Sequence, residues 1–99
     1  MDSVEAVTVT IRIPAPLRPA TGGLAEVAVT GRTAGEALQD LVRRHPDVRA
    51  RLMDARGELR PFVNVYVGER SLRALGGLAA PLQDGAVLAI VPAVAGGAP

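Results

Sequence analysis

The sequence predicts an α+β fold in which one main helix covers one face of a four- or five-stranded mixed sheet. Two segments near the N-terminus alternate apolar and polar residues with a period of two, which is typical of half-buried strands. A central segment repeats apolar residues with a helical period, and two β-branched runs follow it. The chain has 99 residues and therefore fits one domain with a modest core.

The first two strands are predicted to form a hairpin. Residues 7–13 alternate β-branched and polar side chains, and Pro14 and Pro16 end this strand because proline cannot donate to a ladder. Residues 17–23 are rich in proline and glycine and predict the connecting loop. The predicted inner face of the second strand holds Ala25, Val27 and Val29.

The main helix is predicted to begin after Thr33, which forms a capping box with Glu36. In such a box the Thr33 hydroxyl accepts from the Glu36 amide, and the Glu36 carboxylate accepts from the Thr33 amide. The helix ends at His45, because Pro46 disfavours helical backbone at the residue before it. Its apolar stripe consists of Ala34, Ala37, Leu38, Leu41 and Val42. A short second helix is predicted for residues 47–53.

The second half of the chain predicts the remaining strands. Residues 62–67 are the strongest strand signal, with three valines alternating with larger or polar side chains. A short extended segment is predicted around Leu72. A helical turn and an Asp-Gly turn over residues 81–85 then lead into a last strand at residues 86–91.

This order of elements predicts a β-grasp roll. We assign residues 1–92 to the domain and residues 93–99 to a C-terminal tail. The tail has neither periodicity nor bulky side chains, so we expect it to be flexible.

Composition excludes several classes of function. The chain has no Cys and a single His, which excludes Cys-ligated zinc, iron–sulfur clusters and a thiol nucleophile, and leaves little for a metal site. A net charge of +1 and scarce aromatic residues give no case for nucleic acid or an anionic membrane. All basic residues are Arg, so the chain offers no Lys side chain for an isopeptide bond or a Schiff base. We find no phosphate loop and no nucleophile–base pair, and expect a protein that is not an enzyme and binds no cofactor itself.

The sequence also predicts the cellular location of the protein. The N-terminus lacks the features of a signal peptide, and no apolar run reaches the length of a membrane span of about 18 residues. We therefore expect a cytoplasmic protein that is a monomer when free.

The remaining signal is a diglycine at Gly96-Gly97, directly after the last strand. Two other Gly-Gly pairs, at 22–23 and 76–77, fit loops that need positive φ. Further motifs accompany the diglycine in a fixed order: Leu17-Arg18-Pro19 with Thr21-Gly22-Gly23, Arg51-Leu52-Met53-Asp54, Phe62-Val63-Asn64 with Tyr66-Val67, Gly76-Gly77-Leu78-Ala79, Asp84-Gly85, and Pro92-Ala93-Val94-Ala95-Gly96-Gly97. Together they resemble the ubiquitin-like sulfur carriers of the MoaD/ThiS family, and within that family the CysO branch.

The resemblance implies chemistry at the main-chain carboxylate of Gly97. An E1-like enzyme would adenylate this carboxylate with ATP, and sulfide or a persulfide would convert it to a thiocarboxylate. The sulfur would pass to an activated serine derivative on a cysteine-synthase-like enzyme, and a JAMM-type zinc peptidase would release the cysteine. The alternatives are delivery to molybdopterin, to the thiamine thiazole or to a sulfur-containing natural product, and a ubiquitin-like modifier or interaction module with no sulfur role.

One feature departs from the CysO branch: Ala98 and Pro99 follow the diglycine. The carboxyl group of Gly97 is therefore locked in a peptide bond, and we expect a peptidase to cut between Gly97 and Ala98. The alternative is that these two residues have no biological role.

The candidate site residues follow from the resemblance. Gly96 and Gly97 form the reactive end, and the expected partner-binding residues are Arg18, Phe62, Tyr66, Pro92, Ala93, Val94 and Ala95. A solvated surface position remains the alternative for Arg18, and core packing remains the alternative for Phe62 and Tyr66. Asn64 is expected to satisfy a nearby backbone group.

Overall fold

A computed structural model describes residues 7–92, which contain a five-stranded mixed sheet and the helices that pack on it. The strands are β1 (Thr8–Arg12), β2 (Glu26–Thr30), β3 (Val63–Val67), β4 (Arg70–Ser71) and β5 (Val87–Pro92). The α-helices are α1 (Ala34–Arg44) and α2 (Arg49–Leu52), and 3-10 helices span Ala15–Thr21, Pro46–Val48, Leu72–Leu75 and Gly77–Ala79. The predicted α+β fold with one main helix is confirmed.

The order of the strands is β2-β1-β5-β3-β4. β1 is antiparallel to β2 and parallel to β5, and β3 is antiparallel to both β4 and β5. The first and last strands of the sequence therefore lie side by side in the middle of the sheet.

The core lies between one face of this sheet and α1. Alternate residues of the three central strands point into it, as their period of two predicted: Val9, Ile11, Val63, Val65, Leu88 and Ile90 are buried. From α1, the buried apolar residues are Ala34, Ala37, Leu38 and Leu41. Burying one such side chain stabilises the fold by about 1.5–3 kcal/mol.

The N-terminus of α1 matches half of the predicted capping box. The Thr33 hydroxyl accepts from the Glu36 amide at 3.2 Å, as predicted. The Glu36 carboxylate, however, accepts from the Arg32 amide at 2.9 Å, one residue earlier than predicted. His45 ends the helix, and its amide donates to the carbonyl of Leu41.

Asp40 of α1 is a buried carboxylate, with 7% of its surface exposed, that connects the helix to β2. Its Oδ2 accepts from the Thr30 amide and from Arg44 Nε, each at 3.0 Å, and its Oδ1 accepts from Arg43. Burial raises the pKa of Asp40, but the hydrogen bonds from Thr30, Arg44 and Arg43 outweigh it and hold the pKa below the ordinary value of 3.8. The charged form of Asp40 therefore stabilises the contact between α1 and the edge of the sheet.

Residues 17–23, predicted as a loop, lie largely in the 3-10 helix Ala15–Thr21. The prolines suit its first turn, and the Leu17 amide donates to the carbonyl of Pro14 at 2.9 Å. The side chain of Leu17 is buried, so this connection is part of the core. Ala25, predicted to face inward, lies outside β2 and is exposed.

Two elements predicted in the second half of the chain lie at other residues. The short strand lies at Arg70–Ser71, and Leu72 instead begins a 3-10 helix that buries its side chain. No helical turn occurs at residues 81–85; the 3-10 turns lie earlier, at Leu72–Leu75 and Gly77–Ala79. The Asp84-Gly85 turn is present, and the glycine pairs at 22–23 and 76–77 have positive φ as predicted.

We expect Asp40→Asn to lower the free energy of unfolding by about 1–2 kcal/mol near pH 7, because a neutral amide replaces a charged acceptor of three hydrogen bonds. A carboxylate whose pKa is lowered by folding contributes stability above its unfolded pKa and loses it as pH falls through its folded pKa. The difference between wild type and variant should therefore shrink as the pH falls below about 4. Urea unfolding across this range measures it, with Asp47→Asn, an exposed carboxylate, as the control. A difference that persists unchanged at pH 2–3 would contradict the role of the charge.

We expect Gly31→Ala to destabilise the protein by about 1–3 kcal/mol, since the new methyl group has no room. An ideal Cβ at Gly31 would lie 2.4 Å from the backbone nitrogen of Ala37, and helix backbone cannot yield as a side chain can. Thermal unfolding measures the effect. Gly57→Ala is the control, because a Cβ there meets no atom within 4 Å although φ is positive. Equal losses in the two variants would contradict the steric explanation.

Candidate functional site

The C-terminal end of β5 lies at one pole of the domain, which we call the tail pole. Pro92, the last residue of β5, is paired with Val63, the first residue of β3. Arg12, the last residue of β1, is paired with Ala89 of β5. β5 is parallel to β1 and antiparallel to β3. The segment that follows β1 and the segment that precedes β3 therefore both lie beside the end of β5.

Within residues 7–92, no helix covers the sheet face opposite α1, and we call it the open face. Its residues on the three central strands are Thr8, Thr10, Arg12, Asn64, Tyr66, Val87, Ala89 and Val91. β5 gives this face an apolar stripe in the centre, and Val87 and Val91 are both more than 40% exposed. A continuous apolar stripe on a monomer surface is typical of a binding surface.

Two predicted partner-binding residues adjoin this stripe. Phe62 lies directly before β3 at the tail pole, and 64% of its surface is exposed, so core packing is excluded for its ring. Tyr66 is half-buried on the open face and is paired with Ala89. An exposed phenyl ring of this kind is available for contact with another protein.

Asn64 has a different partner from the one expected. Its side-chain oxygen accepts from Arg73 Nη1 at 2.8 Å, and Arg73 Nη2 approaches the carbonyl of Val63 at 3.5 Å. Arg73 therefore ties the 3-10 helix Leu72–Leu75 to β3 beside the tail pole. No sequence pattern predicted this contact, because the two residues lie nine positions apart on different elements.

Arg18 lies in the 3-10 helix that follows β1, and its side chain folds back towards the strand. Its Nε donates to the carbonyl of Ile13 at 3.1 Å. Arg12, Arg18, Glu26 and Ala89 are among the residues that line a cleft of about 220 Å³ between the ends of β1, β2 and β5. Arg12 and Glu26 form an exposed ion pair at 4.0 Å in this cleft. Arg18 therefore lies in a cleft beside Ala89 and Ile90, near the end of β5.

The predicted reactive end lies outside the described residues. This applies to Gly96 and Gly97, to the cleavage position before Ala98, and to the partner-binding residues Ala93, Val94 and Ala95. Pro92 is the last described residue; it is half-buried and continues β5. The described part of the chain thus shows β5, from which the tail continues, and the surfaces around the end of this strand.

Among residues 7–92, no group of three or more His, Asp or Glu side chains is arranged to hold a metal ion. None of the helices in this part of the chain has the length and hydropathy needed to cross a membrane.

Comparison with known proteins gives a family match over most of the chain. The model of the ThiS family matches residues 11–97. Over 91 residues the chain is 45% identical to "Sulfur carrier protein CysO" of Mycobacterium tuberculosis, covering 90% of this chain and 98% of that protein. It is 37% identical to "Small archaeal modifier protein 3" of Haloferax volcanii over 65 residues, which cover 66% of this chain and 70% of that protein.

A solved structure agrees with this result. The CysO chain in the crystal structure of the Amycolatopsis orientalis BexX/CysO complex matches with a TM-score of 0.83 and 45% identity, covering 90% of this chain and 99% of that one. The predicted resemblance to sulfur carriers is confirmed at the level of sequence and fold.

Proposed function

This chain belongs to the ThiS family, and we propose that it is a sulfur carrier protein that works as a C-terminal thiocarboxylate on Gly97. The observation that carries the proposal is the family match, which runs through the whole domain and ends at Gly97. The 45% identity to CysO over nearly the full length of that protein supports the same role.

The chemistry takes place on the main chain. A carboxylate oxygen of Gly97 attacks the α-phosphate of ATP on an E1-like enzyme, and pyrophosphate leaves. Sulfide then attacks the acyl carbon, and AMP leaves with the oxygen that joined it to the acyl group. If a persulfide of the enzyme attacks instead, the product is an acyl disulfide, and a second thiol must attack the enzyme's sulfur to release the thiocarboxylate and form a disulfide. In this scheme the carrier supplies only its terminal carboxylate, and the partner enzymes supply ATP, sulfur and the catalytic groups.

The geometry of β5 suits this task. The strand is hydrogen-bonded to β1 and β3 and ends at the surface at Pro92, so the tail starts from a fixed position. From there, residues 93–97 can reach on the order of 17 Å when extended. Gly96 and Gly97 have no side chains, and such a segment can enter a narrow channel and bend inside it.

Cleavage precedes activation in this proposal. Gly97 is joined to Ala98, so its carboxyl group is an amide until the bond is hydrolysed. We assign this step to a peptidase, with a JAMM-type zinc peptidase as the leading candidate. Because activation consumes ATP, we propose that it occurs in the cytoplasm.

The open face and Phe62 are proposed as the surface that docks onto the E1-like enzyme. The apolar stripe of β5 leads directly to the tail, so an enzyme that binds the stripe also receives the tail. Arg18 adds a positive charge beside the same strand end. Phe62 is the proposed anchor, because large exposed aromatic rings dominate the energetics of many interfaces.

The proposed end product is cysteine, formed on a cysteine-synthase-like enzyme, since the CysO relatives are the sulfur carriers with extensive identity. A modifier function is the second candidate, and the identity to a small archaeal modifier favours it. The two candidates differ in their products: a sulfur carrier gains sulfur, whereas a modifier becomes amide-linked to a partner.

We expect the form that ends at Gly97 to gain the mass of sulfur minus oxygen when it is incubated with ATP, sulfide and the activating enzyme of its own host. The full 99-residue form should remain unchanged, because its Gly97 carboxyl group is blocked. Intact-mass spectrometry measures both. Omitting ATP is the control for direct thiolation.

Sulfur incorporation into the uncleaved form would contradict the cleavage step. Failure of the cleaved form to gain sulfur, together with amide-linked adducts on other proteins, would favour the modifier. Such adducts are simple to assign, because the chain itself has no Lys and every isopeptide bond must lie on the partner.

We expect Phe62→Ser to raise the KM of the activating enzyme for the carrier about 5- to 30-fold, which corresponds to about 1–2 kcal/mol of lost docking energy. Thermal stability should change little, since the ring is largely exposed. Leu24→Ser is the comparison at the same pole: Leu24 is also an exposed apolar side chain, but it precedes β2, which is separated from β5 by β1, so its loss should raise KM less. Similar KM values for wild type and Phe62→Ser would exclude Phe62 as an anchor.

A further inference from the structure

Positive charge is concentrated in one segment of the chain. Residues 49–60 hold four of the eleven arginines and two of the ten acidic residues. Arg43 and Arg44, shortly before this segment, already pair with Asp40. The rest of the chain holds seven arginines and eight acidic residues, so the small net charge of +1 hides a separation of charge. Clusters with an excess of one sign affect association more than they affect the fold.

The fold gathers part of this segment around one groove. α2 lies beside the loop of residues 53–60, where the Arg60 amide donates to the carbonyl of Leu52 at 3.0 Å. Arg60 Nε also donates to the carbonyl of Ala50 at 2.7 Å. Between the two elements lies an open groove of about 580 Å³, and its charged lining residues are Arg49, Asp54 and Arg60. We call it the basic groove.

The carboxylate of Asp54, the acidic residue of the groove lining, already accepts hydrogen bonds from its own loop. Asp54 Oδ1 accepts from the amides of Glu58 and Arg56, at 3.1 and 2.8 Å. These hydrogen bonds, with the nearby charges of Arg56 and Arg60, lower the pKa of Asp54 below its ordinary value. Its single negative charge lies among the charges of Arg49, Arg56 and Arg60, so the groove keeps a positive excess. The side chain of Glu58 lines a different cavity, with Arg73.

The basic groove lies at the tail pole. Arg60 is three residues before Val63, and Val63 is paired with Pro92 at the end of β5. Three residues span at most about 11 Å, so the groove is close to the point where the tail begins. A standard interface covers about 800 Å² on each partner, which corresponds to a disc of roughly 16 Å radius. A partner centred on the tail therefore reaches the groove at Arg60.

We propose that the basic groove is a second contact for the E1-like enzyme and binds an acidic rim around the mouth of its channel. This inference rests on the proposed function and adds the charge of the partner surface. The open face supplies apolar contact on one side of the tail, and the groove supplies electrostatic attraction on the helical side. Its arginines act mainly on the rate of encounter, because exposed charges steer partners over distances comparable to the Debye length.

An acidic protein surface fits the groove better than nucleic acid does. A nucleic-acid site of this size combines basic residues with aromatic rings on which bases stack. The lining of the groove contains no aromatic ring, and the whole chain has only one Phe and one Tyr.

The test is the association rate constant of the cleaved carrier with the activating enzyme, measured by stopped flow. The groove variant is Arg49→Gln/Arg56→Gln, which removes one arginine of the lining and one next to it, beside Asp54. We expect it to lower this constant about 3- to 10-fold at about 0.1 M salt. The difference should disappear at about 1 M salt, where the Debye length falls from about 10 Å to about 3 Å. Arg60 is left intact, because its hydrogen bond to Ala50 supports the loop.

The matched control is Arg32→Gln/Arg70→Gln, which removes the same charge at the opposite pole. Arg32 follows the end of β2, and Arg70 is paired with Val67 at the far end of β3. Equal slowing by both double variants would mean that only net charge matters and would overturn the inference, as would an unchanged rate for the groove variant. Thermal unfolding checks that each variant is folded.

Sulfur incorporation by the wild-type carrier separates the two proposals. If the wild type becomes a thiocarboxylate and the groove variant associates at the wild-type rate, the proposed function stands and the groove contact is wrong. If the wild type gains no sulfur, both fail. A groove variant that loses affinity for single-stranded RNA while keeping the wild-type rate with the enzyme would also overturn the inference.

Discussion

The parallel pairing of β1 with β5 is the contact on which the rest of the structure depends. It joins the first and last strands of the sequence in the middle of the sheet, through the pairs Thr10 with Val87, Ile11 with Leu88 and Arg12 with Ala89. Parallel neighbours need a long crossover connection, and here everything from β2 to β4 lies between them in the sequence. Because both strands run in the same direction, the segment after β1 lies beside the end of β5. The tail pole follows directly from this pairing.

The two faces of the sheet have different roles: one holds the core, and the other is exposed. One face is covered by α1 and holds the core, and the Thr30 amide at the end of β2 donates a hydrogen bond to the charged Asp40 of α1. The other face carries Val87, Ala89 and Val91 in its centre, and no helix of residues 7–92 covers it. β5 contributes side chains to both faces, since Leu88 and Ile90 are buried while Val87, Ala89 and Val91 point outward. Alternation within one strand thus couples stability to the proposed docking surface.

Sequence periodicity predicted those elements whose side chains alternate or recur regularly. Val9 and Ile11 in β1, and Leu38 and Leu41 in α1, are buried as their spacing indicated. It failed for Leu17 and Leu72, because each is buried from a short 3-10 helix that shows no repeat in the sequence. The contact of Arg73 with Asn64 and the basic groove join residues from different elements, and only the fold reveals such proximity. Phe62 and Tyr66 were predicted as partner-binding residues, and the structure shows that Phe62 is exposed directly before β3 and that Tyr66 is half-buried on the open face.

The central position of β5 also has a mechanical consequence. A tail held in the channel of an enzyme transmits any pull to β5, and β5 is hydrogen-bonded on both sides, to β1 and to β3. A load directed along the strand acts on these two ladders together in shear, so they share it instead of opening one bond at a time. Force applied at the end of the chain therefore enters the domain at a central strand with hydrogen-bonded neighbours on both sides, and the sheet resists it in shear.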